Sequence, residues 1–208
     1  MPELDQILKF MTAGIILALI PGSDVMYIVS RSISQGRWAG LVSTAAVGVG
    51  SIGHVIMAVL GLSAILATSA TAFTIVKYAG AAYLVYMGIR MMLTRQEFAV
   101  NEKMSGDSLK KIFWQGVITN VLNPKVALFF LAFLPQFIPA NDPRAPFGIL
   151  LLGAIFIFNG LIICASYALL AGWLRDRVVK KPKAMQFFPK IGGGMLALLG
   201  LKLAFEKR

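Results

Sequence analysis

Two oppositely charged residues stand inside long apolar stretches of the sequence, and each follows a proline. Asp24 comes shortly after Pro21 in the segment LALIPGSDVMYI, and Lys125 comes directly after Pro124 in the segment TNVLNPKVAL. A charge at the centre of a membrane-spanning helix is costly, so it usually faces a cavity, a partner charge or a proton path. The two charges could form a fixed ion pair. Alternatively, a zwitterionic substrate could bridge them, with its ammonium group on Asp24 and its carboxylate on Lys125 or at the start of a half-helix.

Each proline predicts an interruption of its apolar helix. Proline cannot donate a backbone N–H and crowds the carbonyl four residues earlier, and Gly22 adds backbone freedom beside Pro21. The freed backbone groups need protein, water or a ligand as partners. A new half-helix starting at Ser23 would present a positive end to a carboxylate; the alternative is a structural kink in which Ser23 satisfies the backbone. The candidate substrate-binding residues are Pro21, Gly22, Ser23, Asp24, Asn123, Pro124 and Lys125.

His54, in the segment GVGSIGHVIMA, is a candidate for proton coupling together with Asp24. Imidazole titrates near neutral pH and can carry a proton; the alternative is a neutral histidine hydrogen-bonded between helices. Asn120 also has two interpretations, as an interhelical hydrogen-bond partner or as part of a cavity wall. Because the chain has one histidine and one cysteine, Cys164, we expect no metal site, no intrachain disulfide and no cofactor.

The composition is that of a membrane protein. Of the 208 residues, 58% are hydrophobic and 14% are charged, and the mean hydropathy is +0.77, whereas soluble domains carry about 25% charged residues. The net charge of +11 comes from short basic clusters between apolar runs, which argues against nucleic-acid binding and for cytoplasmic loops. Glu3 and Asp5 precede the first apolar run, so we interpret residues 6–31 as a retained span and not as a cleaved signal.

Six apolar stretches are long enough to be membrane-spanning helices. They cover residues 7–30, 40–66, 73–93, 113–138, 147–174 and 187–205, and the last requires Lys190 and Lys202 to reach opposite interfaces. Most basic residues fall in the loops after spans one, three and five, which places those loops in the cytoplasm and both termini outside. Trp38, Trp114 and Trp173 lie at the span ends next to these loops, as an interfacial aromatic belt requires.

The two prolines stand half a chain length apart, which predicts two related halves. Three spans per half make the second half cross the membrane in the opposite sense, the arrangement of inverted-repeat transporters with a midplane site. The predicted fold is an all-α polytopic membrane protein of six transmembrane helices in two inverted three-helix repeats, with broken first and fourth helices. A single membrane domain covers 1–208, with repeats at 1–95 and 112–208 and a basic cytoplasmic loop at 96–111. Small-residue faces such as 46–50 could pack helices within one subunit or in a homodimer.

Three segments resemble the lysine exporter (LysE) superfamily, specifically its homoserine/threonine resistance (RhtB-like) branch. They are IPGSDVMYIVSRSISQGRWAG, GLSAILATSATAFTIVKYAGAAYLVYMGIR and ITNVLNPKVALFFLAFLPQFI, the last with the Asn-Pro-Lys element of the fourth span intact. By position, Pro21 and Gly22 match the motif of the first span. The family's usual second proline and following amide are replaced here by Ser23 and Asp24, and some members carry an acid or amide near the position of Ser51.

The resemblance implies an exporter, in the bacterial inner membrane, of small amino acids or their derivatives, with neutral ones like threonine, homoserine or leucine expected, driven by the proton motive force. No GxxxxGK[ST] motif occurs, so ATP hydrolysis would need another subunit. The main alternative is an inorganic-ion exporter, because the wider superfamily has cadmium-resistance-type members, although soft cations prefer clustered thiolates. An intramembrane enzyme with Asp24 and His54 as an acid/base pair lacks a nucleophile motif, so we expect no enzyme. A non-transporting assembly protein would not need two matched broken helices.

Overall fold

The computed structural model describes residues 2–62, 70–93, 106–138, 142–174 and 187–205, and all regular elements in these ranges are helical. The apolar helices fit a polytopic membrane protein. The helices are α1 (Leu4–Leu19), α2 (Ser23–Gln35), α3 (Arg37–Met57), α4 (Ala70–Leu93), α5 (Leu109–Val121), α6 (Pro124–Leu128), α7 (Ala145–Trp173) and α8 (Phe187–Phe205). A π-helical turn, Ala58–Leu62, extends α3, and a π-helical turn, Phe129–Phe133, followed by a 3-10 turn, Leu134–Phe137, extends α6.

Both proline segments interrupt their helices and bend the chain. The axes of α1 and α2 differ by 50°, and those of α5 and the helical segment from Pro124 to Phe137 differ by 43°. Gly22 is the N-cap of α2. Asn123 is the N-cap of α6, and its side-chain oxygen accepts a hydrogen bond from the backbone N–H of Lys125. Each new half-helix therefore starts right after a break, and Pro124 occupies the first turn of α6, a position that favours proline.

Two unbroken helices are long and apolar enough to cross a membrane, and the bent pairs can add two more. The unbroken ones are residues 37–61 and α7, and each bent pair passes the same criteria only when its two helices are counted together. These counts apply to the described residues. Residues 94–105 and 175–186, which include most of the basic loop predicted at 96–111 and the loop after the fifth span, lie outside them, so the six-span arrangement stays a prediction.

Helix α3 packs against α2, α5 and α7. Small residues allow this packing: a Cβ on Gly50 would lie 2.7 Å from the Asn120 side chain on α5, and a Cβ on Gly48 would lie 2.8 Å from Leu161 on α7. The small-residue face of 46–50 therefore packs within the chain. At Gly36, φ is +88°, and glycine adopts this conformation without strain as the chain turns from α2 into α3.

Aromatic side chains fill the space between α1, the α6 segment and α7. The Phe129 ring stacks on Phe133 at 5.1 Å and on Phe156 at 5.2 Å, and Phe10 approaches Phe129 at 5.4 Å. All four side chains are buried. Contacts of this kind add about 0.5–1.5 kcal/mol per pair beyond the buried area. They therefore stabilise the packing of the segment after the second break against α1 and α7.

Candidate functional site

The Asp24 carboxylate is held by amide side chains from the second break. Its Oδ2 atom accepts hydrogen bonds from Asn120 Nδ2 and Asn123 Nδ2, both at 2.8 Å. Asp24 lies in the first turn of α2, where the helix dipole favours a negative charge. Its other oxygen, Oδ1, is buried and has no hydrogen-bond partner among the described residues. The first break thus offers one buried acceptor to whatever enters the site.

Lys125 extends from the second break to the first. Its ammonium group donates hydrogen bonds to the Leu17 carbonyl at 3.0 Å and to the Ile20 carbonyl at 2.8 Å, and only 4% of the residue is exposed. Both carbonyls lie at the C-terminal end of α1, where the helix dipole favours a positive charge. Among the described residues, no ion pair within 4 Å joins Lys125 to Asp24. The sequence left a fixed ion pair open, and the structure shows carbonyl capping in its place.

Asn120 connects Asp24 to helix α3. The Ser51 hydroxyl approaches Asn120 Oδ1 at 3.3 Å, while Asn120 Nδ2 donates to Asp24. His54 Nε2 lies 2.9 Å from the backbone carbonyl oxygen of Asn120, and its ring stacks on Phe130 with 6.2 Å between ring centroids. Asn120 is fully buried. Through these contacts it connects α5 to both α2 and α3.

A small, partly open cavity adjoins Asp24 and Lys125. Its volume is about 40 Å³, which is room for about three water molecules. Phe156 and Leu161 of α7 contribute apolar wall. The polar and thiol-bearing lining residues are Asp24, Thr44, Ser51, Asn120, Lys125 and Cys164.

The predicted site residues take different positions around this cavity. Asp24 and Lys125 line it, whereas Asn123 is not part of the lining and donates a hydrogen bond to the carboxylate of Asp24. Ser23 is exposed at the start of α2, and His54 does not line the cavity but contacts the backbone carbonyl of Asn120, which does. Pro21, Gly22 and Pro124 form the breaks themselves.

A second polar cluster links the far end of α2 to the start of α5, and nothing in the sequence analysis predicted it. The Arg31 guanidinium donates to Asp107 Oδ2 at 2.8 Å and to the Gln115 side chain. Lys111 Nζ lies 2.6 Å from the other Asp107 oxygen, and the Tyr27 hydroxyl donates to the Ile112 carbonyl. Hydrogen bonds from Lys111 and then from Arg31 hold the pKa of Asp107 below its usual range. The available signal was Arg31 itself, two helical turns beyond Asp24 on α2.

Comparison with known proteins gives one family. The model of the LysE type translocator family matches residues 15–207. A homoserine/homoserine lactone efflux protein of Salmonella typhimurium is 30% identical, over 94% of this chain and 94% of its own length. Uncharacterized membrane proteins of Vibrio cholerae (31% identical, 96% of this chain and 97% of the relative) and of Bacillus subtilis (YrhP; 30%, 94% and 97%) are also similar. No solved structure matches.

Proposed function

This chain belongs to the LysE type translocator family, and on that premise we propose that it exports small amino acids or their derivatives as a secondary transporter. Membership confirms the resemblance seen in the sequence and makes the chain a membrane transporter with amino-acid efflux proteins among its relatives. The proposal adds the substrate class, the site and the driving force.

One observation carries the proposal: opposite, buried charges from two helix breaks line one cavity. Asp24 of the first break and Lys125 of the second are both on its wall, and each is more than nine-tenths buried. Buried charges at membrane depth usually mark a substrate or ion path. A free amino acid carries the complementary pair of charges at neutral pH.

The polar groups suggest a role for each end of the ligand. Asp24 Oδ1, which has no partner among the described residues, accepts the ammonium group of the substrate, and Lys125 faces the carboxyl group. Asn123 and Asn120 hold the carboxylate of Asp24 in place, while Pro21, Gly22, Ser23 and Pro124 set the breaks. A hydrogen bond to a charged group contributes about 1.5–3 kcal/mol, so two such contacts would contribute about 3–6 kcal/mol to binding.

The cavity is too small for an amino acid, and this favours alternating access. Space for about three waters has to grow before a ligand with a side chain fits. The bends of 50° and 43° are the positions where whole half-helices can rotate. We propose six spans in two inverted repeats that rock about this midplane site, with the basic loops in the cytoplasm of the bacterial inner membrane and both termini outside.

For proton coupling, Asp24 is the stronger of the two candidates. It lines the cavity, where a proton and a substrate ammonium group would compete for the same oxygen. His54 is stacked on Phe130 and lies on the Asn120 carbonyl, which suits a structural hydrogen bond. The proposal therefore assigns the proton to Asp24 and a supporting role to His54.

The inorganic-ion exporter remains an alternative from sequence alone. No group of three His, Cys, Asp or Glu side chains that could hold a metal ion occurs among the described residues, so no specific structural observation favours it.

Efflux from preloaded cells tests the proposed function. Cells that express the chain are loaded with a panel of labelled amino acids that includes L-threonine, L-homoserine and L-leucine, and efflux is measured with and without a protonophore. We expect protonophore-sensitive loss of at least one small neutral amino acid. Asp24→Asn, which can still accept from both asparagines, should reduce efflux by at least about tenfold, since 1.4 kcal/mol is a factor of ten.

Asp5→Asn is the matched control, because Asp5 forms an exposed ion pair with Lys9 on α1, far from the cavity lining. It should leave efflux unchanged. If no amino acid leaves the cells despite confirmed membrane insertion, the amino-acid exporter is wrong. If Asp24→Asn keeps wild-type efflux and its pH dependence at equal abundance, the role of Asp24 is wrong.

A further inference from the structure

The end of α1 lacks a backbone donor at one specific place. In a continuous helix the N–H of residue 21 would bind the carbonyl of Leu17 four residues earlier, but Pro21 has no N–H. The Ile20 N–H reaches the carbonyls of Ile16 and Leu17 at 3.2 Å each. A carbonyl oxygen can accept two hydrogen bonds, and one position on Leu17 is left for a donor from outside the helix.

Lys125 provides that donor. Its Nζ atom lies 3.0 Å from the Leu17 oxygen and 2.8 Å from the Ile20 oxygen, so a single ammonium group caps the carbonyl that Pro21 orphans and the last carbonyl before the proline. Gly22 leaves room for this approach, because a Cβ at this position would make a tight contact of 3.3 Å with Lys125 Nζ. The proline, the glycine and the lysine therefore act as one unit, although the lysine is in the other half of the sequence.

We propose that Lys125 is the positioning residue that sets the break between α1 and α2, and that the carboxylate of a bound amino acid competes with the Leu17 and Ile20 carbonyls for its ammonium group. This inference rests on the proposed function and goes beyond it, since it states how occupancy of the site reaches a helix. A carboxylate draws Lys125 off α1, the last turn of α1 loses its cap, and the half-helix is free to rotate. A ligand without a carboxylate leaves the cap in place.

A neighbouring contact supplies a matched control. The Tyr167 hydroxyl on α7 donates to the carbonyl of Leu19 at 3.0 Å. It too caps the end of α1 from another helix, but it is uncharged and Tyr167 is absent from the cavity lining. Tyr167→Phe therefore removes an external cap without touching the proposed carboxylate partner.

Hydrogen–deuterium exchange of the full chain in lipid nanodiscs tests the inference. The readout is the exchange rate of backbone amides in peptides that cover residues 14–24. The probes are L-homoserine and L-homoserine lactone at pH 6, because they differ in whether the carboxyl group is free or esterified. We expect L-homoserine to speed exchange by roughly tenfold, as for the loss of one charge-assisted hydrogen bond, and the lactone to leave it unchanged.

Two variants separate competition from simple fraying. Lys125→Met should exchange fast without ligand and should not respond to either probe. Tyr167→Phe should raise the basal rate modestly and keep the difference between the two probes. If Lys125→Met does not accumulate, the comparison of the two probes on the wild-type chain decides alone.

Equal responses to the two probes, or a response to neither, would overturn the inference. The proposed function is tested independently by efflux: homoserine efflux with no carboxylate-specific exchange would leave the exporter standing and remove the role of Lys125. If no amino acid of the panel leaves the cells, the exporter function is wrong, and so is the competition of the substrate carboxylate for Lys125.

Discussion

Gly50 on α3 touches the polar site so closely that alanine at this position should disturb it. A Cβ on Gly50 would lie 2.7 Å from Asn120 Oδ1, 2.8 Å from Asn120 Cβ and 3.0 Å from the Val117 carbonyl oxygen. Carbon atoms pack without repulsion at about 3.5 Å or more. Either α3 and α5 separate by roughly half an ångström, or the Asn120 side chain turns away from Asp24, whose Oδ2 it binds at 2.8 Å.

The expected free-energy change follows from these contacts. Overpacking costs about 1–3 kcal/mol, and weakening a hydrogen bond to a charged group costs up to about 1.5–3 kcal/mol. The better helix propensity of alanine returns about 1 kcal/mol. Gly50→Ala should therefore lower the free energy of unfolding by up to about 2 kcal/mol and reduce efflux, because the contact between Asn120 and Asp24 is disturbed.

Gly53 is the control on the same helix. A Cβ there would meet only Val121 Cγ2, at 3.9 Å, so Gly53→Ala should gain up to about 1 kcal/mol from propensity alone. Unfolding in sodium dodecyl sulfate, followed by circular dichroism, compares the two variants with the wild type, and efflux is measured at matched abundance. If both variants have the same unfolding midpoint and wild-type efflux, the assigned link from α3 through Asn120 to Asp24 is refuted.

Three further predictions concern the second polar cluster and the cavity wall. Arg31→Gln should lower the detergent unfolding midpoint more than Lys111→Gln, because both side chains pair with Asp107 but 3% of the Arg31 side chain is exposed against 57% for Lys111; equal midpoints would contradict this. The lowered pKa of Asp107 means that its stabilising contribution is complete above the ordinary value of about 4 and is lost as pH falls through the folded value, so Asp107→Asn should flatten the fall of the midpoint below about pH 4. Cys164 lines the cavity and is 6% exposed, so N-ethylmaleimide should react with its thiol slowly, and L-homoserine should slow the reaction further. Mass spectrometry of the intact chain measures the labelled fraction. A labelling rate that does not depend on the ligand would place the ligand elsewhere.

The helical elements were largely predictable because their signals are local. Proline removes a donor wherever it stands, so the interruptions at Pro21 and Pro124 follow from two residues. The apolar run of α7 was predicted at 147–174 and is found at Ala145–Trp173. The span predicted at 40–66 begins earlier, at Arg37, because Gly36 ends α2 and the next helix starts at once. The count of six spans depends on residues outside the described ranges and stays a prediction.

Partner choice was much less predictable, since it depends on where side chains end in space. The sequence singled out Asp24 and Lys125 and left an ion pair or a shared ligand open. It could not show that the ammonium group reaches backbone carbonyls, because those groups carry no sequence signal. Asn120 was open between two roles and fills both, as interhelical partner and as cavity wall. The contact of Arg31 with Asp107 joins residues 76 apart in sequence, with no repeat or motif to connect them.

The contacts that are present explain why the two breaks belong together. The first break presents a carboxylate that binds the amides of the second, and the second presents an ammonium group that binds the carbonyls of the first. Neither end could face lipid, where nothing would replace these partners, so movement at one break needs substitutes for both. An amino acid brings an ammonium group for Asp24 and a carboxylate for Lys125. A ligand with only one of these charges can replace only one contact, and for that reason we expect the zwitterion, rather than an amine or an acid alone, to release both halves for transport.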